Sequence, residues 1–172
     1  MYDRAQEQFH RLEAKEQEAF LNNVLFKRYP QIAFDNNNNE DKRRKVFWMV
    51  TSTSWTPDEN FDLLLSALCL FDKLAWERQG GRALPFTLAL IITGKGPLRM
   101  AYMEKIATIS KGWKNNIIVR DVWLALEDYP KLLGSCHLGI SLHQSSSGWD
   151  LPMKVVDMFG CGLTCCAINF PW

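Results

Sequence analysis

The feature that most constrains this chain is a series of short apolar runs, each the length of a strand, separated by amphipathic stretches. Residues 45–50 (KVFWMV) and 86–93 (FTLALIIT) are nearly unbroken apolar segments. Runs of that kind suit strands covered on both faces, as in a parallel sheet. Residues 116–120 (NIIVR), 137–143 (HLGISLH) and 163–167 (LTCCA) are weaker versions of the same pattern. Between the first two runs, Phe61, Leu64, Leu65, Leu68, Phe71, Leu74 and Ala75 repeat with the period of a helix. That helix is expected to start at residues 56–59 (TPDE), with Thr56 as N-cap, Pro57 in the first turn and Glu59 closing a capping box. It should end at residues 79–82 (QGGR). Further helices are predicted over about 97–110, 127–133 and 152–160, the last with Gly162 as its C-cap. From residue 45 the order is thus β-α-β-α-β-α-β-α-β, which predicts an α/β fold with a doubly wound, Rossmann-like parallel sheet.

Upstream, residues 3–28 predict a helix whose apolar stripe is Phe9, Leu12, Ala19, Phe20, Leu21, Val24 and Leu25, stopped by Tyr29 and Pro30. Residues 35–44 (DNNNNEDKRR) carry no apolar period and read as a solvated loop or hinge. The chain therefore divides into residues 1–44, a helix and polar linker, and residues 45–172, the sheet domain. A strand near residue 167 with no covering helix after it predicts that this domain is incomplete at its C-terminus.

Composition narrows the function classes. With 172 residues, 47% of them hydrophobic, the chain can bury the core of one domain. Its seven Trp and ten Phe imply a large core or a face that meets another domain. A formal charge of +1 gives no electrostatic basis for binding nucleic acid. No segment approaches the roughly 18 apolar residues of a membrane span, and residues 1–17 lack the apolar core of a signal peptide. Cys69, Cys136, Cys161, Cys165 and Cys166 are odd in number and form no C-x-x-C pair. They are expected to be buried, reduced thiols rather than a disulfide framework or zinc ligands. The sequence has no N-x-[ST] glycan acceptor, in keeping with a cytosolic setting.

Ligands of open α/β sheets bind beyond the carboxyl ends of the strands. Polar loops are predicted there at residues 51–55, 94–97 and 143–154. The first offers Ser52 and Thr53. The second, Gly94, Lys95, Gly96 and Pro97, combines glycines that permit close backbone approach with a helix N-terminus that favours phosphate. It matches neither a P-loop nor a dinucleotide fingerprint, and a plain strand-to-helix turn explains it equally well. The third begins at His143, a possible donor to a phosphate or sugar hydroxyl, or a structural strand residue. Ser145, Ser146, Ser147 and Gly148 follow, a hydroxyl-rich segment able to wrap a diphosphate with N–H donors. Asp150 suits a helix N-cap at least as well as a ligand role. Lys154 and Asp157 share one helix face, where the lysine can meet a phosphate and the carboxylate a ribose. Alternatively they form a surface ion pair worth little. No motif supports metal-dependent hydrolysis or a serine esterase.

Residues 50–61 (VTSTSWTPDENF), 92–97 (ITGKGP), 128–130 (DYP) with 132–134 (LLG), and 142–160 (LHQSSSGWDLPMKVVDMFG) together resemble the chitobiosyldiphosphodolichol β-mannosyltransferase family. The resemblance runs from about residue 2 to the end. It implies one half of a GT-B architecture, the C-terminal, donor-binding half, in truncated form. It further implies transfer of mannose from GDP-mannose to dolichyl-diphosphate-chitobiose, with inversion to a β-1,4 linkage, in N-glycan precursor assembly. The setting would be the cytosolic face of the endoplasmic reticulum membrane, with other mannosyltransferases of the pathway as further partners and no cofactor or metal. By motif, residues 94–97 would line the donor diphosphate, residues 145–148 would contact phosphate or sugar, and Lys154 would face the diphosphate. Asp157 would stand where related enzymes hold the ribose with a longer Glu. The acceptor domain, the membrane anchor and the general base would lie outside this chain, which alone should bind donor without turnover. The alternatives are a catalytically inactive truncated paralogue acting as an interaction module, and an unrelated Rossmann-type nucleotide binder.

Overall fold

A computed structural model describes residues 4–33, 45–144 and 152–169. Its centre is a five-stranded, all-parallel sheet in the order β3-β2-β1-β4-β5. The strands are β1 (Lys45–Ser52), β2 (Phe86–Thr93), β3 (Ile117–Val122), β4 (Leu138–Ser141) and β5 (Cys165–Ala167). They alternate with α3 (Phe61–Arg78), α4 (Arg99–Ile109), α5 (Tyr129–Ser135) and α6 (Met153–Gly160). The predicted doubly wound α/β fold is what forms. The two long apolar runs became the central strand β1 and its neighbour β2, paired in register from Lys45 with Phe86 to Ser52 with Thr93.

Strand periodicity sends alternate side chains to opposite faces, and each face has its own core. Met49, Leu88, Leu90 and Ile92 pack with Phe61, Leu64, Leu65 and Leu68 of α3 and Ile106 of α4. Trp48, Val50, Ala89 and Ile91 pack with Leu132 and Leu133 of α5 and Met158 of α6. Fully buried Leu or Ile side chains of this kind each stabilise a fold by roughly 1.5–3 kcal/mol.

The N-terminal region completes the second face. Helix α1 (Ala14–Ala19) runs into a π-helical segment (Phe20–Leu25) and a closing turn, α2 (Phe26–Arg28). Phe20, Leu25 and Ile32 join the core beneath α5 and α6. The helix expected over residues 3–28 is thus only its second half. Residues 4–13 run without helix past glycines: a Cβ on Gly134 would lie 3.0 Å from Leu12 Cγ, and one on Gly160 2.3 Å from the Cβ of Ala5. Packing against those bare helix backbones overrides the helical propensity of the charged residues.

Two further expectations change. Helix α3 starts at Phe61, with Asn60 as its N-cap accepting from Leu63 N at 3.2 Å, so residues 56–59 are not its first turn. Among the cysteines, all free, only Cys161 is buried, while Cys166 is exposed. The Gly162 C-cap forms as expected: its φ is +65°, and Leu163 N reaches back to Met158 O at 2.9 Å.

Candidate functional site

Strand order reverses direction at β1, which pairs with β2 on one side and β4 on the other. Such a switch point leaves a crevice beyond the carboxyl ends of the strands. A cavity of about 470 Å³ opens there, lined by Ser52, Thr53, Thr93, Gly94, Tyr129, Lys154 and residues 123–126. A neighbouring cavity of about 490 Å³ shares Gly94 and Trp123 and adds the basic side chains Lys95, Arg99 and Arg120.

The loop after β1 is built around one carboxylate. Glu59 is 3% exposed. One of its oxygens accepts from the Thr53 hydroxyl and from Ser54 N at 2.9 Å. The other accepts from Lys154 Nζ at 2.6 Å. The Thr53 hydroxyl oxygen in turn accepts from Trp55 N at 2.7 Å, holding Trp55 in the left-handed region at φ 50°. The buried Trp55 ring stacks on Phe61 with centroids 4.6 Å apart, so the loop is fastened to the start of α3.

Gly94 and Gly96 are needed for contact within the chain. A Cβ on Gly94 would lie 1.7 Å from Thr53 O, and one on Gly96 1.7 Å from Ser54 O. Gly94 also has φ +145°. The β2 loop therefore lies directly on the β1 loop, with Trp55 Nε1 donating to Gly94 O at 3.3 Å. Lys95 sits 4.4 Å above the Trp123 ring, a cation–π contact. Pro97 is exposed and precedes α4, whose first residue, Arg99, pairs with Asp121.

The far wall comes from the segment after β3 and from α5. The hydroxyls of Ser52 and Tyr129 are 2.8 Å apart and hydrogen-bonded. Burial pushes the Tyr129 phenol up to about 12. The backbone N–H of Ala125 donates to the Tyr29 hydroxyl at 2.9 Å. Tyr29 donates to the fully buried Asp128, as does Arg28 at 2.8 Å. This cavity wall is therefore braced from the N-terminal region.

On α6, Lys154 and Asp157 share a face, and the alternative reading of an ion pair between them does not hold, because Lys154 pairs instead with Glu59. Burial raises the Asp157 carboxyl above the usual carboxylate range. His143 does not end a strand; it follows β4 and forms an isolated antiparallel bridge with Glu59. Its Nδ1 lies 3.6 Å from Asp58, whose carboxyl is lowered first by the Thr56 hydroxyl. His137 lies at the opposite strand end, where its Nδ1 accepts from Trp48 N. Ser145, Ser146, Ser147, Gly148 and Asp150 fall outside the described residues.

Ser52, Thr53, Gly94 and Lys154 thus meet at one cavity, Lys95 and Gly96 line its neighbour, and Pro97, His143 and Asp157 line neither. Sequence reasoning missed Glu59, Trp123 and Tyr129 as site residues. For Glu59 the signal was present, an acidic residue a few positions past a strand end, but the capping pattern claimed it.

No family model matches the chain. It is 52% identical over 128 residues to the Homo sapiens chitobiosyldiphosphodolichol beta-mannosyltransferase, covering 74% of this chain and 26% of that protein. With the Debaryomyces hansenii protein of the same name it shares 41% identity over 174 residues, 99% of this chain and 33% of the other. It is also 47% identical over 138 residues to an Arabidopsis thaliana protein named UDP-glycosyltransferase TURAN, covering 75% and 29%. The chain thus spans about a quarter to a third of the length of these relatives. Among solved structures, Anabaena HepE in complex with UDP and glucose aligns with 97% of this chain and 37% of its own, at TM-score 0.56 and 14% identity. The pneumococcal O-GlcNAc transferase GtfA in complex with UDP and GlcNAc aligns with 77% and 22%, at TM-score 0.51 and 15% identity. At such identities the likeness speaks for the fold, a Rossmann-like α/β domain.

Proposed function

We propose that this chain, a relative of the chitobiosyldiphosphodolichol beta-mannosyltransferases, is the donor-binding part of such an enzyme and holds its nucleotide sugar in the cavity at the β1–β4 switch. The protein would transfer mannose from GDP-mannose to dolichyl-diphosphate-chitobiose during N-glycan precursor assembly, at the cytosolic face of the endoplasmic reticulum. The observation that carries this reading is sequence identity of 41–54% to proteins of that name. The geometry supports it. The cavity is in the size range of small-molecule sites, and Lys154, in the first turn of α6, brings a cation to its wall.

Cleavage of the donor's glycosidic bond leaves negative charge on a diphosphate. A lysine and the N-terminal N–H groups of a helix would stabilise it. Asp157, one turn further along α6 and just outside the cavity lining, would accept hydrogen bonds from the ribose hydroxyls. Inverting transfer also needs a general base at the acceptor hydroxyl. We assign that role to no residue here, and propose that the chain alone binds donor without transferring mannose.

A second reading takes its support from the Arabidopsis relative named as a UDP-glycosyltransferase: the same cavity would accept UDP. Isothermal titration of the chain with GDP, UDP and NADH separates the readings. Preference for GDP is expected, preference for UDP would change the donor, and binding of none of them would remove the donor site.

A further inference from the structure

A carboxylate buried to 3% exposure within a polar loop calls for a reason. Stability alone is a poor one, because a buried ion pair is often no better than an apolar pair of the same shape. What Glu59 does is geometric. One oxygen is occupied by the β1 loop, through the Thr53 hydroxyl and Ser54 N. The other reaches across 95 positions of sequence to Lys154 Nζ at 2.6 Å. Its own backbone is bridged to His143, and the neighbouring Asp58 carbonyl accepts from Gln144 N at 2.9 Å, so residues 143–144, just after β4, are tied to the same point.

Lysine is a compact charge on a flexible stem, and fixing that stem costs rotamer entropy. Here that stem is already fixed. The ammonium has three donors; one is given to Glu59, while the side chain lines the cavity and remains 30% exposed.

We propose that Glu59 is a positioning residue for the donor diphosphate: it anchors Lys154 to the β1 loop and so holds the ammonium at the cavity wall before the ligand arrives. This rests on the functional reading above. It also has a direct opposite, in which Glu59 withholds the lysine from the phosphates.

The test is calorimetric titration of the chain and its E59Q, E59D, K154M and E59Q/K154M variants with GDP, guanosine, UDP and uridine. If Glu59 acts through Lys154, E59Q weakens GDP binding about tenfold, the scale of one charge-assisted hydrogen bond. Guanosine, which has no diphosphate, should bind E59Q as it binds the parent chain. In the K154M background the further substitution of Glu59 should cost GDP nothing. E59D, which keeps the buried charge but shortens its reach to Lys154, is the second variant, expected to weaken GDP and spare guanosine in the same way, so the result does not depend on E59Q folding well. Equal loss of GDP and guanosine would reduce Glu59 to a structural role and overturn the proposal. Tighter GDP binding by E59Q would overturn it in favour of the opposite. Normal GDP binding by E59Q would end the proposal while leaving the functional reading intact. If the parent chain prefers UDP, the same comparison is read from UDP and uridine. A parent chain that binds neither diphosphate brings down both.

Discussion

Two buried carboxylates mark the two ends of the sheet, and they are used differently. Asp72, on α3 at the end where the strands begin, accepts from Lys114 N at 3.0 Å, Asn115 N at 2.8 Å and Asn115 Nδ2 at 2.9 Å. Asn115 Oδ1 in turn accepts from Leu84 N at 2.9 Å, so one carboxylate orders the approaches to both β2 and β3. All its donors are neutral. Glu59, at the end where the strands finish, gives one oxygen to a similar loop-ordering task and the other to a lysine at a cavity. Burying an ionised carboxylate requires full hydrogen bonding in either case. Neutral N–H groups suffice for that, and the buried Asp128 takes the Arg28 cation purely as a brace, so at Glu59 it is the cavity beside its lysine, not the ion pair itself, that points to a ligand.

The division between the two ends can be broken first at Gly94. Replacement by Ala would drive a Cβ into Thr53 O and impose a φ that an L residue rarely adopts. A loss of about 4 kcal/mol in denaturant unfolding, together with loss of GDP binding, is expected. Unchanged stability would show that the two loops separate easily. Asp72→Ala should cost about 3 kcal/mol by stranding the N–H groups of Lys114 and Asn115, yet leave GDP affinity in the folded state unchanged. A parallel drop in affinity would erase the contrast between the ends. Lys154→Ala should weaken GDP binding about tenfold, near 1.4 kcal/mol, and Asp157→Ala by a smaller factor, both without unfolding the chain. Unchanged affinity in both variants would remove α6 from the site.

The smallest effect depends on pH. Burial raises the Asp157 carboxyl in the folded chain, so its ionised form carries a desolvation cost above that raised value. The cost is relieved as pH falls through the folded-state value, where the group is neutral. Asp157→Asn should therefore raise Tm slightly at pH 7, and the gain should shrink on acidification, as followed by thermal unfolding. A gain that grows towards acid pH would contradict the sign.

The sheet was legible because unbroken apolar runs such as residues 86–93 admit few other placements in a chain this polar. Strand ends, and hence Ser52, Thr53, Gly94 and Lys154 at the cavity, followed from topology. The role of Glu59 did not. A capping-box Glu and a loop-tying Glu occupy the same spacing, and what separates them is Lys154, 95 positions away. Trp123, 58% exposed beside two cavities, was hidden because nothing local distinguishes a strand-end tryptophan from a core one. The glycines were read as points where backbone approaches a ligand, whereas the close approach the structure shows is to the chain's own backbone.

The packing of the N-terminal region beneath α5 and α6 has a consequence in time. Residues 5–32 are synthesised well before Gly134, Met158 and Gly160, against which they close. Likewise β1 gains its neighbour β2 early and β4 only after about 90 more residues. Phe20, Leu25 and Ile32 are therefore not fully covered until α5 and α6 have been made, a high-contact-order arrangement that slows folding and exposes the nascent chain to aggregation. Substitutions at Gly134 or Gly160 would be felt more in the yield of folded protein than in the cavity itself.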